Sequence, residues 1–241
     1  MNATIYLLAS GNQELTMIWR ESTIEAKVII VILVIFSIFA WSVMASKAVQ
    51  MRRARKLNHY FNSEFRAQAK VLGIFDRRVQ VDGCPLFATY QEGCVELDNR
   101  LKLPEGNGRR QYISLKAMEH VKRTLERVVA QECLKLESGL ILLAVAVSGA
   151  PFMGLLGTVW GVMSAFSAVA IQKSASLLVL APGVSAALVT TVAGLLVAIP
   201  SMFGYNWLVH NLRVMTVELD NFAQELVSKM ETEYLKDDES V

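Results

Sequence analysis

Two consecutive runs decide the fold: residues 138–172, SGLILLAVAVSGAPFMGLLGTVWGVMSAFSAVAIQ, and residues 174–212, SASLLVLAPGVSAALVTTVAGLLVAIPSMFGYNWLVHNL. Neither holds a charged side chain, and only Lys173 separates them. A helix crosses a bilayer with ~20 apolar residues, so each run exceeds one crossing. Two long helices joined by a short turn are the economical reading. Backbone polar groups in lipid must be satisfied within their own segment, which favours helix over irregular chain. Upstream, residues 28–46 form a third uncharged run, long enough for one further span.

The composition agrees. Of 241 residues, 53% are hydrophobic and 19% charged, against ~25% charged in soluble domains, so lipid is the expected solvent. A net charge of +2 carries no signature of nucleic-acid binding. The first basic residue is Arg20, and no A-x-A cleavage pattern follows the first apolar run. That run therefore reads as a retained anchor and not as a signal peptide, with Leu15, Ile18 and Trp19 placed to lie in the membrane interface.

Charge distribution predicts the orientation. Residues 1–27 hold two Lys and Arg, whereas residues 47–137 hold eighteen, led by Lys47, Arg52, Arg53, Arg55 and Lys56. Positive charge marks the cytoplasmic side. The expected division is a periplasmic segment 1–27, a first span 28–46, a cytoplasmic loop 47–137, a second span region 138–172, a short periplasmic turn 173–176, a third span 177–209, and a cytoplasmic helix with an acidic tail 210–241. Cys84, Cys94 and Cys133 all fall in the inner loop and read as free thiols. His59, His120 and His210 lack ligand spacing, and no nucleophile motif or phosphate-binding loop occurs. These features predict neither an enzyme nor a cofactor or metal site.

The polar segments read as helical. Residues 56–78 predict a mixed helix broken by DGCP at 82–85, and LPEGNG at 103–108 reads as a loop. Leu115, Met118, Val121, Leu125 and Val128 recur at three- and four-residue steps, predicting an amphipathic helix that runs straight into the second span. Leu212, Met215, Leu219, Phe222 and Leu226 repeat the pattern beyond the third. These stems are expected to pack on one another as a cytoplasmic bundle. The fold class is thus all-α: three transmembrane helices, with long helices extending into a cytoplasmic helical bundle.

Both long runs carry small-residue faces. The second span has Gly154, Gly157, Gly161, Ala165 and Ala168, with Thr158 on the side of Gly154 and Gly161. The third has Gly183, Ala187, Thr191, Gly194, Ala198 and Ser201. Small faces let helix backbones approach closely; they predict a tight packing surface, and they motivate the expectation of a homo-oligomer. Thr158 and Thr191 suit two roles, a bond back to their own helical turn or a hydroxyl offered to a water-filled path. Pro151, Pro182 and Pro200 free backbone carbonyls and permit bends. None of the three spans contains Asp or Glu. Intramembrane acids are the usual carriers in proton relays, so a proton-driven role would require a carboxylate from another chain.

Residues 148–166, SGAPFMGLLGTVWGVMSAF, resemble the second-helix signature of the TolQ/ExbB (MotA/TolQ/ExbB proton channel) family. APGV at 181–184, ALVTTVAGL at 187–195 and AIP at 198–200, ending in Tyr205 and Asn206, resemble its third helix. The resemblance implies an inner-membrane subunit of a proton-motive-force-driven motor, a pentamer around a TolR/ExbD-like single-span partner whose Asp carries the proton, coupled to a TolA/TonB-like protein. It implies pore-facing roles for Thr158 and Thr191. The family often has Glu five residues before the third-helix Thr, where this chain has Ala186, so a carboxylate role there is not carried over. VMSAF at 162–166 leans toward the TolQ-like side. A passive ion channel and a non-conducting membrane scaffold are the competing readings.

Overall fold

The computed structural model describes residues 24–102, 111–173 and 176–235. The proposed interfacial residues Leu15, Ile18 and Trp19, the 103–108 loop and the acidic tail lie outside them. Among the described residues there are six helices: α1 (Ile24–Ala67), α2 (Gly73–Asp76), α3 (Pro85–Leu101), α4 (Leu115–Glu137), α5 (Leu140–Gln172) and α6 (Leu177–Tyr234). α1, α5 and α6 are long and apolar enough to cross a membrane. The chain divides into a membrane unit, Met1–Ala45 with Gly139–Trp207, and a bundle unit, Ser46–Ser138 with Leu208–Val241.

In the membrane unit, Ile29 and Leu33 of α1 pack against Ala150 of α5 and Ala198 of α6. Gly204 leaves room on α6 for the Met44 side chain, which occupies the space a Cβ would need. The opposite faces are broadly apolar and exposed, including Ile38, Phe39, Phe152, Val159, Phe166, Leu188 and Phe203. Such surface is stable in lipid or against other chains, and in water it would be an aggregation liability.

Two helix boundaries differ from the sequence expectation. The first span and the segment from residue 56 form one uninterrupted helix, because residues 24–67 contain neither Pro nor Gly. That helix stops at Ala67, well short of residue 78, and only the four-residue α2 follows before α3. Conversely, α4 does not run straight into the second span. Ser138 leaves helical geometry and Gly139 adopts φ 83°, a left-handed conformation that costs glycine little. The Lys47 ammonium donates to Leu136 O and Ser138 Oγ, each at 3.3 Å, satisfying a carbonyl in the last turn of α4.

The bundle core joins α1, α3, α4 and α6. Phe61, Phe65, Phe87, Tyr90 and Phe222 form a connected aromatic cluster, with Phe65 and Phe222 rings 5.1 Å apart at 69°. The Tyr90 hydroxyl donates to Val71 O at 2.6 Å and accepts from Phe75 N at 2.9 Å, fixing the connection between α1 and α3. Cys84 caps α3, its sulfur accepting from Phe87 N, with Pro85 in the first turn where no N–H is needed. Both amphipathic stems meet here. Met118, Val121 and Leu125 of α4 share the core with Leu219, Phe222 and Leu226 of α6. Leu115 departs from the expected face and is 70% exposed.

Candidate functional site

The small-residue faces of α5 and α6 close on one another within a single chain. A Cβ on Gly154 would lie 3.0 Å from Thr190 O and 3.1 Å from Thr191 Cα. On Gly161 it would lie 2.8 Å from the Ala187 Cβ and 3.0 Å from Gly183 O. From the other side, a Cβ on Gly194 would meet Ala150 O at 2.6 Å, and one on Gly183 would meet the Ala165 Cβ at 2.8 Å. Within one chain, α5 and α6 use these faces on each other, the close packing that small residues permit. Gly149 differs, with nothing within 4 Å of the position its Cβ would take.

Hydroxyls cluster at the middle of this crossing. Thr191 is half-buried, and its Oγ1 donates across to Gly154 O at 3.2 Å. Thr190 is fully buried. Its Oγ1 stands 2.7 Å from Ala187 O and 3.4 Å from Gly154 O; having one proton, it donates to the nearer carbonyl. Gly157 faces Thr190 directly, and a Cβ there would lie 2.5 Å from the Thr190 Cβ. Thr158 is also half-buried, but its Oγ1 donates within its own helix to Leu155 O at 2.6 Å. The structure therefore sets Thr191 on the α5–α6 seam and Thr158 on a partly open flank, with no hydrogen bond between them.

Thr190 escaped the sequence reading, although its signal was available. It stands seven residues after Gly183 and three after Ala187, on the same small face as Thr191. Its bulk completes the seam by filling the notch that Gly157 leaves. Ala186 is 1% exposed, so the position that lacks the family's carboxylate is enclosed within this chain.

Pro151 lies inside α5, and Pro182 and Pro200 inside α6, with helix continuing through all three. Each lacks the N–H that would bond the carbonyl four residues earlier. Ser148 Oγ donates to Ala144 O at 3.0 Å and Ser201 Oγ to Val197 O at 2.7 Å, adding side-chain bonds near two of these prolines. The crossing thus offers hydroxyls and backbone carbonyls, while residues 139–207 contain no Asp, Glu or His. Among the described residues, no group of His, Cys, Asp and Glu is arranged to hold a metal ion.

Three helices with apolar spans, two of them joined through glycine and threonine and none with an acid within residues 28–46, 140–172 or 177–207, define an integral membrane protein whose polar chemistry at the α5–α6 crossing is hydroxyl and carbonyl. Residues 100–221 match the family model described as the MotA/TolQ/ExbB proton channel family. The Tol-Pal system protein TolQ of Haemophilus influenzae is 32% identical over 88% of this chain and 91% of its own length. The TolQ of Pseudomonas aeruginosa is 30% identical over 77% of this chain and 79% of its own. The biopolymer transport protein ExbB of Xanthomonas campestris (strain B100) is 42% identical over 47% of this chain and 45% of its own. The chain belongs to the MotA/TolQ/ExbB proton channel family.

Proposed function

We propose that this chain is the proton-channel subunit of an inner-membrane complex that uses the proton-motive force to energise an envelope process. The observation that carries the reading is the chemistry of the α5–α6 crossing. Thr158 offers a partly exposed hydroxyl, now bonded to its own helical turn, on the flank of a seam devoid of titratable acids. Such a surface can solvate a charged or hydrated carboxylate but cannot carry a proton by titration. The carrier is then a membrane Asp on a TolR/ExbD-like single-span partner. A homo-oligomer, expected as a pentamer, surrounds that partner, and a TolA/TonB-like protein takes up the motion. The driving force is about 2.3 kcal/mol per charge per 100 mV, with the pH gradient added.

In this reading the bundle unit and the C-terminus are cytoplasmic and the N-terminus periplasmic, supported by the eighteen-to-two asymmetry of basic residues. A TolQ-like role is preferred over an ExbB-like one. VMSAF at 162–166 and the near full-length similarity to a TolQ support that preference.

The test is complementation of a deletion strain. Thr158→Val and Thr191→Val keep the side-chain shape and remove the hydroxyl. The double variant should lose coupled function while expression and assembly persist, and Thr→Ser at both positions should retain much of it. Full complementation by the double Val variant would reduce both threonines to packing. Proton flux through the chain alone in proteoliposomes would point to a passive channel. Absence of flux even with its partner present would point to a scaffold.

A further inference from the structure

We propose that the outer face of α1, where the helix leaves the membrane, binds anionic phospholipid headgroups through Arg52, Arg53 and Lys56. The structure sorts the cations that follow the first span. Lys47 is buried and bonds Leu136 O and Ser138 Oγ. Arg55 lines the groove between α1 and α6 together with Glu218 and Glu225. Arg52, Arg53 and Lys56 are exposed. Because α1 is one helix, the exposed residues Ile38, Ser42, Ala45 and Val49 lead at three- and four-residue steps to these cations. At ~100° per residue, all of them fall within an arc of about 100°. Orientation by charge requires only that cations lie on one side of the membrane. It does not set them on the same stripe as the apolar residues that meet lipid.

Depth along the helix agrees with that occupant. Val49, the last apolar residue of the stripe before the cations, is 66% exposed. Arg52 and Arg53 stand ~4.5–6 Å further along the axis. The headgroup layer adds ~5–7 Å on each side of the hydrocarbon, so both fall within it. Lys56 lies ~10 Å beyond Val49. Helix side chains slant toward the N-terminus, here the membrane side, and a long basic chain can keep its stem on the helix while its head reaches the interface. No Asp or Glu of α1 lies between Glu25 and Glu64, so no neighbouring acid on the helix offsets these charges. A net-anionic headgroup offers phosphate oxygens to the guanidinium forks and cancels their charge. A zwitterionic headgroup brings its own ammonium, which the cations repel. The proposal rests on α1 crossing the membrane and is independent of proton conduction.

Native mass spectrometry of the full-length protein in detergent, mixed with equal amounts of palmitoyl-oleoyl phosphatidylglycerol and phosphatidylcholine, tests the site. Bound phosphatidylglycerol should exceed phosphatidylcholine about fivefold or more. Arg53→Gln with Lys56→Gln should bring the ratio close to one; both side chains are exposed, so the fold is spared. Arg53→Lys with Lys56→Arg keeps the charges and should keep the preference. Lys116→Gln with Lys122→Gln removes two exposed cations from the half of α4 away from the second span, and should leave the ratio unchanged. Equal uptake of the two lipids by the unaltered protein would overturn the proposal. So would a phosphatidylglycerol preference that survives Arg53→Gln with Lys56→Gln, or one that the α4 control abolishes equally; the cluster would then be a topology signal alone.

Discussion

Adding one methyl group at Gly194 tests whether the α5–α6 crossing is as rigid as its geometry implies. The Cβ of Gly194→Ala would stand 2.6 Å from Ala150 O and 3.2 Å from the Gly154 Cα. Both opposing atoms are backbone, so no rotamer change relieves them. Ordinary contact begins at 3.4 Å, and the helices must part locally by about 0.8 Å. A gap of ~0.5–1 Å forfeits a quarter to a half of each dispersion contact it opens. Overpacking of this kind costs ~1–3 kcal/mol. Parting also stretches the Thr191–Gly154 bond beyond its present 3.2 Å, with a further loss of ~0.5–1.5 kcal/mol. Helix propensity returns ~1 kcal/mol. The net destabilisation is about 1–3 kcal/mol, or a fall in Tm on the order of 5 °C for a protein of this size.

The assay is thermal unfolding of purified protein in detergent, with Gly149→Ala as the internal control. Gly149 has open space around it, so there the propensity gain of ~1 kcal/mol stands unopposed within the chain. Gly194→Ala should melt clearly below the control. Equal midpoints for the two variants would refute the inference that these helices meet through backbone at Gly194. A lowered midpoint for Gly149→Ala, accompanied by dissociation in native mass spectrometry, would place that open face against a second copy.

Burial sharpens the topology test: Cys84 and Cys94 are buried and Cys133 is partly accessible. Labelling of Cys133 after membrane permeabilisation, but not in intact spheroplasts, is expected for a cytoplasmic bundle; ready labelling in intact spheroplasts would reverse the orientation. Alkaline pH should destabilise the bundle unit. Burial pushes the Cys94 thiol from its ordinary value of 9.0 up to about 12, and burial raises Cys84 and Tyr90 as well. An acid whose pKa is raised on folding keeps its proton while the unfolded chain loses it, so stability falls as pH climbs through the window from about 9 to about 12. Within that window the Cys94 contribution is about 1.4 kcal/mol per pH unit. Urea unfolding at pH 8 and pH 10 (about one unit into the window) should show the decline, and Cys94→Ala should flatten it; a pH-independent midpoint would contradict the assignment.

What the sequence made legible follows from which physical signal each feature leaves. Uncharged length exposed the three spans because lipid penalises every charge along them. Three- and four-residue spacing identified Met118, Val121, Leu125, Leu219, Phe222 and Leu226, and all six are buried in the bundle core. Spacing says that a face is small or apolar but does not name what covers it. The glycine faces of the second and third runs therefore read equally well as surfaces between chains, whereas α5 and α6 spend them on one another.

Helix boundaries were obscured for a different reason. Hydropathy changes sharply after residue 46, but Arg and Lys are good helix formers, and α1 continues through the basic cluster to Ala67. Gly139 sits beside an apolar run and looks like one more small membrane residue, yet its left-handed φ ends the approach from α4. Thr190 and Thr191 adjoin in sequence and share the small face, but only three-dimensional register separates their roles. Thr190 fills the Gly157 notch, while Thr191 bonds Gly154 across the crossing. Periodicity locates the faces of a helix; the chemistry of a site emerges only when a second face is set opposite the first.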